Sequence, residues 1–521
     1  MTEVLPSYIA GSWQTGQGEG TTVADAVTGE PVVRVTSDGL DLAAAADHAR
    51  SVGGPALREV DFATRAGMVK ALALALSERK QELYDLSARA GSTRADSKVD
   101  VDGGFGTALV YSSLGRKGLP PGNVVVEGPA EQLGKEGTFV GQHVLTSRRG
   151  LALQINAYNF PVWGMLEKLA PALLAGIPTI AKPATQTSYV AEHAVRIILE
   201  AGVLPEGALQ LVSGAIPGMF DLLHGQDLVG FTGSAQTAAK LRGHPAVTER
   251  SVRFTAEADS LNCSVLGPDA VSGTPEFDLY VGGLVAEMTS KAGQKCTAIR
   301  RAFVPREMID EVTEAVSARL AEVVVGAPGA EGVTMGALVG TDQRADVRRS
   351  VEALQADSRL AFGDPAKVDV VGADPEKGAF LGPLLLRAEV DARAPHEVEA
   401  FGPVSTLMPY DDRAQLVDLI ARGHGSLAGS VVTHDPDFAR GVVLDTAALH
   451  GRILVLDRDD AAESTGHGIP MPQLVHGGPG RAGGGEEEGG LRAVYHHMQR
   501  TAIQAGPAML ESILQVTDGE K

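Results

Sequence analysis

One cysteine of this chain lies among polar residues and glycine, in surroundings that suggest chemistry. Cys296 follows Gly293, Gln294 and Lys295, whereas the second cysteine, Cys263, lies in an apolar run typical of an inert, buried side chain. Lys295 is a neighbouring cation that can favour the thiolate, which is the nucleophilic form of cysteine. The sequence does not show where Lys295 points, so Cys296 can be a nucleophile or a structural residue.

Two further polar residues could act with this thiol. Glu257 stands among small apolar residues, where a carboxylate binds its proton more tightly and suits general-base work near neutral pH. Asn159 precedes Phe160-Pro161, and its amide can donate to an oxyanion. The alternatives are a partly exposed glutamate at a strand end and an asparagine that caps a turn. Together the three groups predict one reaction: the thiol attacks an aldehyde, the adduct loses a hydride, and the carboxylate activates water to release an acid.

A hydride acceptor requires a dinucleotide site, and three short runs offer parts of one. Lys182 follows a predicted strand and can reach ribose hydroxyls or a phosphate. The run Phe231-Thr232-Gly233-Ser234 ends a strand and opens a helix, whose free N–H groups can hold a pyrophosphate. It is not a G-x-G-x-x-G motif and is weak as a phosphate signature. Glu399 offers a carboxylate for a ribose and Phe401 an aromatic edge for a nicotinamide ring, although alone they form an ordinary turn.

Composition excludes several classes of protein. A chain of 521 residues with 44% hydrophobic residues is long enough for two or three folded domains. Its net charge of −20 disfavours nucleic-acid binding. Two cysteines supply neither a disulfide framework nor a metal cluster, so no metal is predicted. The absence of a signal peptide and of an apolar run of about 20 residues predicts a cytoplasmic protein without a membrane segment.

The hydrophobic pattern predicts an α/β protein with parallel sheets. Residues 40–120 are helical in pattern, and alternation of short apolar strands with helices follows over 151–241 and again over 255–455. The predicted strands are Leu151–Ile155, Thr179–Ala181, Leu209–Val212, Asp227–Phe231, Asn262–Leu266 and Arg301–Val304, and the predicted helices are Trp163–Ala175, Tyr189–Ala201, Pro217–His224, Ser234–Arg242, Phe277–Thr289 and Met308–Val323. Ligands of such sheets bind at the carboxyl ends of the strands.

In their order along the chain, these runs resemble the aldehyde dehydrogenase superfamily. The matching runs are Asn159-Phe160-Pro161, Lys182-Pro183-Ala184, Phe231-Thr232-Gly233-Ser234, the setting of Glu257, Gly293-Gln294-Lys295-Cys296 and Glu399-Ala400-Phe401-Gly402-Pro403. The resemblance implies Cys296 as nucleophile and Glu257 as general base. It implies Asn159 and the Cys296 backbone N–H as oxyanion hole. It also implies cofactor contacts at Lys182, Thr185, Phe231, Thr232, Gly233, Ser234, Glu399 and Phe401.

The same resemblance implies three structural units. These are a Rossmann-like dinucleotide-binding domain over 1–123 and 145–255, an α/β catalytic domain over 256–465, and an oligomerisation arm with a C-terminal tail over 124–144 and 466–521. The arm implies a homodimer.

Cofactor preference can be argued from Thr185. Relatives that prefer NAD often carry glutamate at this position, where it would hold the ribose hydroxyls and repel a 2′-phosphate. Thr185 is neutral and Lys182 adds positive charge, so NADP is predicted in preference to NAD.

The C-terminal runs resemble one branch of the superfamily. Glu463–Gly468, His476–Glu487 and His497–Ala502, together with Glu257–Asn262, are not general superfamily features. The branch contains enzymes of aerobic aromatic-compound degradation that oxidise a semialdehyde carried on a CoA thioester. The expected substrate is 3,4-dehydroadipyl-CoA semialdehyde of the benzoyl-CoA route. The alternatives are the 3-oxo-5,6-dehydrosuberyl-CoA semialdehyde of the phenylacetate route, a general aliphatic aldehyde, or no catalysis at all in a structural protein. Because the fused relative continues into a hydratase, a separate enoyl-CoA hydratase-type partner is predicted.

Overall fold

Parallel strands and helices build most of the molecule in a computed structural model, which describes residues 2–485 and 489–514. Two seven-stranded sheets form its frame, and a three-stranded and a two-stranded sheet complete it. Within the described residues, none of the helices combines the length and apolar character that a membrane span requires.

The first sheet consists of five parallel strands and an antiparallel N-terminal edge. In spatial order its strands are Arg253–Glu257, Leu228–Thr232, Ala152–Ile155, Thr179–Lys182, Leu209–Leu211, Ser7–Ile9 and Ser12–Gln14. Thr232 pairs with Glu257, and Ile155 pairs with Lys182. Because parallel strands end at one edge of a sheet, these last residues meet at its carboxyl edge, where ligands of such folds bind.

Helices pack against both faces of this sheet. They are Leu42–His48, Gly54–Glu59, Phe62–Glu78, Lys80–Arg89, Arg94–Gly118, Trp163–Ala175, Ser188–Glu200, Ala235–Arg242 and Pro245–Thr248. One hydrophobic core contains Leu72 and Leu166, and the other contains Leu153 and Phe220. The helix predicted over Pro217–His224 is wrong, because a left-handed Gly218 and an extended residue 223 leave only a 3₁₀ turn at Met219–Leu222.

The second sheet is parallel except at one edge strand. In spatial order its strands are Ser358–Phe362, Leu384–Ala388, Val404–Tyr410, Arg301–Pro305, Cys263–Leu266, Ser426–Val432 and His450–Leu456, and its helices are Pro275–Thr289, Ile309–Leu320, Thr341–Leu354, Arg413–Ala421 and Pro436–Thr446. The predicted helices of this half lie within three residues of the observed bounds at each end.

A small antiparallel sheet stands outside the two large ones. Its strands are Met498–Ala505, Val140–Ser147 and Val125–Gln132, in that order. Helices Gly490–His496 and Pro507–Leu514 flank its C-terminal strand, and the hairpin Thr21–Ala24 and Pro31–Val35 forms the two-stranded sheet. Residues 486–488 and 515–521 of the predicted tail lie outside the described residues.

Candidate active site

The loop that carries Cys296 follows the helix Pro275–Thr289 through a tight turn. Lys291, Ala292 and Gly293 all adopt positive φ angles, of 54°, 51° and 68°. A Cβ atom on Gly293 would lie 2.1 Å from the carbonyl oxygen of Gly402. Glycine is therefore required at position 293, because only its backbone can lie this close to the turn after Glu399.

Arg300 connects the same two segments from within the protein. Its guanidinium donates to the carbonyls of Gly402 and Gly293, both at 2.9 Å, and to that of Lys295 at 3.2 Å. Its Nε lies 3.8 Å from the Glu399 carboxylate. Burial raises the pKa of Glu399 to about 7, although Arg300 opposes the shift. Sequence reasoning missed Arg300, since an arginine beside a strand shows no sign of its buried partners.

A buried asparagine fixes the loop to the second sheet. The Asn262 amide donates to the carbonyls of Cys296 and Ala298 at 2.8 and 3.0 Å. Its carbonyl oxygen accepts from the Ser260 hydroxyl at 2.6 Å and from the Ala428 N–H at 2.9 Å. Asn262 belongs to the run 257–262 that the sequence singled out, but its role was not predicted.

Asn159 lies against the loop that carries Cys296, which is the position expected of a donor to an oxyanion. Its side-chain N–H donates to the carbonyl of Gln294 at 3.0 Å, and the side chain is buried. An amide nitrogen carries two N–H groups, so one remains for another acceptor. Lys295 does not point at the sulfur, because its ammonium lies 2.8 Å from the Glu287 carboxylate.

A histidine that sequence reasoning missed lies beside Glu257. His476 Nδ1 is 3.1 Å from a carboxylate oxygen of Glu167, and its Nε2 is 3.6 Å from one of Glu257. One polar atom each of Glu257, Cys296 and His476 lie within 4.8 Å of one another. The Gly-rich run after His476 stood out in the sequence, but nothing local placed it against residues far earlier in the chain.

Groups around Cys296 shift the pKa of its thiol in opposite directions. Burial and the Glu257 carboxylate raise the pKa of the Cys296 thiol to about 12, while His476 lowers it. Burial disfavours the charged form of His476, but the carboxylates of Glu167 and Glu257 outweigh it and hold its pKa well above 6.5. Burial and Glu257 thus favour the neutral thiol, whereas His476 favours the thiolate.

Two cavities meet at Cys296. The larger, of about 680 Å³, extends from Lys182 and Ser234 past Phe401 to the sulfur. The smaller, of about 40 Å³, also reaches Cys296, and its lining includes the apolar side chains of Trp163 and Pro470. Asn159, Thr232, Glu257 and Cys296 line both cavities.

Most of the predicted cofactor residues line the larger cavity. They are Lys182, Phe231, Thr232, Gly233, Ser234, Glu399 and Phe401. Ser234 caps the helix Ala235–Arg242, and burial lowers the pKa of Lys182. Thr185 does not line the cavity, whereas Gln186, which sequence reasoning did not consider, does.

Comparisons with known proteins agree with this architecture. A model described as the aldehyde dehydrogenase family matches residues 13–499. The chain is 46% identical over 91% of its length to 3,4-dehydroadipyl-CoA semialdehyde dehydrogenase of Aromatoleum evansii, of which it covers 93%. Over 35% of its length it is 52% identical to Protein MaoC of Klebsiella aerogenes, of which it covers 53%.

Solved structures share the fold. Apo betaine aldehyde dehydrogenase of Staphylococcus aureus, in a G234S mutant, superposes with a TM-score of 0.83 at 21% identity, over 96% of this chain and 95% of that one. Gamma-glutamyl-gamma-aminobutyraldehyde dehydrogenase of Burkholderia cenocepacia gives 0.82 at 23% identity, over 97% of each chain. The α/β fold and the family resemblance predicted from the sequence are confirmed, and the chain belongs to the aldehyde dehydrogenase family of NAD(P)-dependent oxidoreductases.

Proposed function

We propose that this chain oxidises an aldehyde to a carboxylic acid through a thioester on Cys296. The observation that carries the proposal is the meeting of two cavities at this sulfur, with the Glu257 carboxylate and the Asn159 amide lining both. Substitution of Cys296 by serine is expected to lower aldehyde oxidation by roughly 1000-fold or more. Parental rates in that variant would contradict the proposal.

The residues act in a fixed order. The Cys296 thiolate attacks the aldehyde carbon, and the oxygen becomes an anion beside the Asn159 amide and the Cys296 backbone N–H. A nicotinamide dinucleotide, when bound, supplies the hydride acceptor. The acyl group remains on the sulfur until Glu257 takes a proton from water and the acid is released. A carboxylate at position 257 favours water over free CoA as the acceptor of the acyl group.

The larger cavity fits such a cofactor. Thr232 Oγ1 and Glu399 Oε1 are buried polar atoms without a hydrogen-bond partner among the described residues, and both residues line the cavity. Ser234 places a helix N-terminus at its wall, where N–H groups suit a pyrophosphate. Lys182, Ser234 and Glu399 would hold phosphate and ribose groups, and Phe401 would contact the nicotinamide.

The preference for NADP over NAD rests on the charge at the cavity wall. Lys182 lines the cavity, and Thr185 lies close by in the chain, at the start of a 3₁₀ turn. Neither repels a 2′-phosphate. Initial rates with each cofactor test the preference, and comparable kcat/KM values for NAD would contradict it.

The proposed substrate is a semialdehyde carried on a CoA thioester, such as 3,4-dehydroadipyl-CoA semialdehyde. The name and 46% identity of the Aromatoleum evansii relative support this class. The smaller cavity is narrow and bordered by Phe160, Trp163, Ile469 and Pro470, which suits an unbranched acyl chain.

Alternative substrates can be separated by kinetics. The semialdehyde of the phenylacetate route is the second candidate, because the resemblance of the C-terminal runs implies it equally. Side-by-side kcat/KM values for both CoA-linked semialdehydes, and for a free aliphatic aldehyde of equal length, separate the three. Equal efficiency on the free aldehyde would favour a general aliphatic aldehyde dehydrogenase.

We further propose a homodimer formed through the small sheet and the C-terminal helix. Phe139, Met509 and Ile513 expose large apolar side chains there. Light scattering of the purified protein tests the oligomeric state. A reduced catalytic thiol suits the cytoplasm. A separate enoyl-CoA hydratase-type enzyme, implied by the resemblance of the C-terminal runs, would be a pathway partner.

A further inference from the structure

The imidazole ring of His476 is held between two acidic side chains beside the reactive thiol. Its Nδ1 lies 3.1 Å from Glu167 and its Nε2 lies 3.6 Å from Glu257. Only 11% of the His476 side chain is exposed, and 12% of that of Glu167. The ring is thus buried within the protein and held in a fixed position.

The two acidic neighbours favour a charged ring. A neutral imidazole has one N–H and one lone pair, so its lone pair would face one of the two carboxylates. With both nitrogens protonated, each carboxylate meets a donor instead. The two carboxylates therefore favour the imidazolium, although burial opposes it and the Lys168 ammonium, 3.7 Å from Glu167, shares that carboxylate.

The Nε2–H group of this ring is available to donate a hydrogen bond. It makes no hydrogen bond of ordinary geometry within the described residues, although it is buried, and interaction with Cys296 contributes to the raised pKa of the ring. Its neighbours are Glu257 and the Cys296 sulfur. Lys295, the cation next to the cysteine in sequence, is paired with Glu287 instead. Arg452 is half-buried and interacts electrostatically with Cys296, Glu257 and Glu167, but no hydrogen bond joins it to the sulfur within the described residues.

We propose that His476 is a catalytic residue, an imidazolium whose Nε2–H donates to the Cys296 sulfur whenever that sulfur is an anion, with Glu167 fixing the orientation of the ring. The inference rests on the proposed role of Cys296 as nucleophile. It adds a partner for the sulfur to the general base and the oxyanion donors described above.

The protons balance without any change on His476. The thiol proton passes to solvent, the sulfur electron pair forms the bond to the aldehyde carbon, and the carbonyl electron pair moves to the oxygen. When the thioester is hydrolysed, Glu257 takes a proton from the attacking water. The carbon–sulfur bond then breaks, its electron pair returns to the sulfur, and the His476 N–H again stabilises the anion.

The test measures alkylation of Cys296 by iodoacetamide in the full chain, without cofactor, between pH 6 and pH 10. Peptide mass spectrometry separates Cys296 from Cys263, which serves as an internal control because it is buried elsewhere. In His476→Gln the rate at pH 7 is expected to fall about 10- to 100-fold, the loss of one hydrogen bond to a charged group. The pH profile is expected to move to higher pH.

Two further variants make the result specific. Glu167→Gln keeps the imidazole but removes one of its carboxylates, so a smaller shift in the same direction is expected. His193→Gln is the matched control, since His193 also pairs with a glutamate, Glu82 at 2.7 Å, outside the site. It is expected to keep the parental profile.

Specific outcomes would overturn the inference. An unchanged alkylation profile in His476→Gln would do so, as would an equal shift in His193→Gln. If His476→Gln does not keep the parental thermal midpoint, Glu167→Gln decides the question, and its unchanged profile would also refute the role. These results are independent of the proposed function, because full aldehyde oxidation in Cys296→Ser refutes that function whatever the alkylation profiles show.

Discussion

The side chain of Asn262 donates to the carbonyl of Cys296 across 2.8 Å and thereby joins the reactive loop to the second sheet. The same amide group also binds Ala298, Ser260 and Ala428, so all its hydrogen-bonding capacity is directed inward. A loop held in this way keeps its sulfur in one position before any ligand binds, which reduces the ordering needed during the reaction.

Asn262→Ala is expected to destabilise the protein strongly. The change leaves buried carbonyls and the Ala428 N–H without partners, and each such group costs about 1–3 kcal/mol. We expect a loss of roughly 3 kcal/mol or more in the free energy of unfolding, measured by chemical denaturation. The control is Asn123→Ala, because the exposed Asn123 amide makes one hydrogen bond, to the Arg58 carbonyl at 3.0 Å. Similar losses in both variants would contradict the role of Asn262.

Glu257→Gln is expected to separate the two halves of the reaction. The amide cannot take a proton from water, so the thioester should accumulate after a single burst of reduced cofactor. Stopped-flow absorbance at 340 nm would show a burst close to one equivalent per active site and steady turnover lowered about 100-fold or more. Steady turnover at the parental rate would show that another group activates the water.

A negative charge near the proposed ribose site should change cofactor preference. In Thr185→Glu we expect kcat/KM for NADP to fall by at least about 10-fold relative to NAD, because like charges repel. Thr248→Glu adds the same charge at the exposed end of the helix Pro245–Thr248 and should leave the ratio of kcat/KM values unchanged. An unaltered ratio in Thr185→Glu would place the 2′-phosphate elsewhere, for instance near Gln186.

Stability should depend on pH through His476. Its pKa is held well above 6.5 in the folded protein by Glu167 and Glu257, so the bound proton stabilises the fold. That contribution is fully present below about pH 6.5 and is lost as the pH rises through the folded pKa. The difference in unfolding free energy between the parental protein and His476→Gln should therefore be larger at pH 6 than at pH 10. A difference that grows with pH would mean that the ring is neutral.

Sequence reasoning located the residues at strand ends and missed those brought together by packing. Lys182, Thr232 and Glu257 end buried parallel strands, and such strands bring their last residues to one edge whatever the loops do. Periodicity alone could not distinguish the 3₁₀ turn near Gly218 from a helix. Here a single left-handed residue decided the local structure.

Glu167 and His476 were missed because they lie far apart along the chain. Glu167 lies on a helix of the first half, and His476 lies near the C-terminus, 309 residues later. Nothing in the local pattern of either predicts the pairing, since a glutamate on a helix usually faces solvent. Lys295 is the opposite case: it is adjacent to Cys296 in sequence, but its ammonium pairs with Glu287 in the folded protein.

The nucleophile and its base come from different sheets. Glu257 ends a strand of the first sheet, whereas the loop of Cys296 is anchored to the second by Asn262. A displacement of one sheet relative to the other by about 1 Å would move the Glu257 carboxylate away from the Cys296 sulfur and slow the reaction severely. The reactivity of the Cys296 thiol therefore depends on the position of the first sheet relative to the second. Its rate of modification can report relative motion of the two sheets without any attached label.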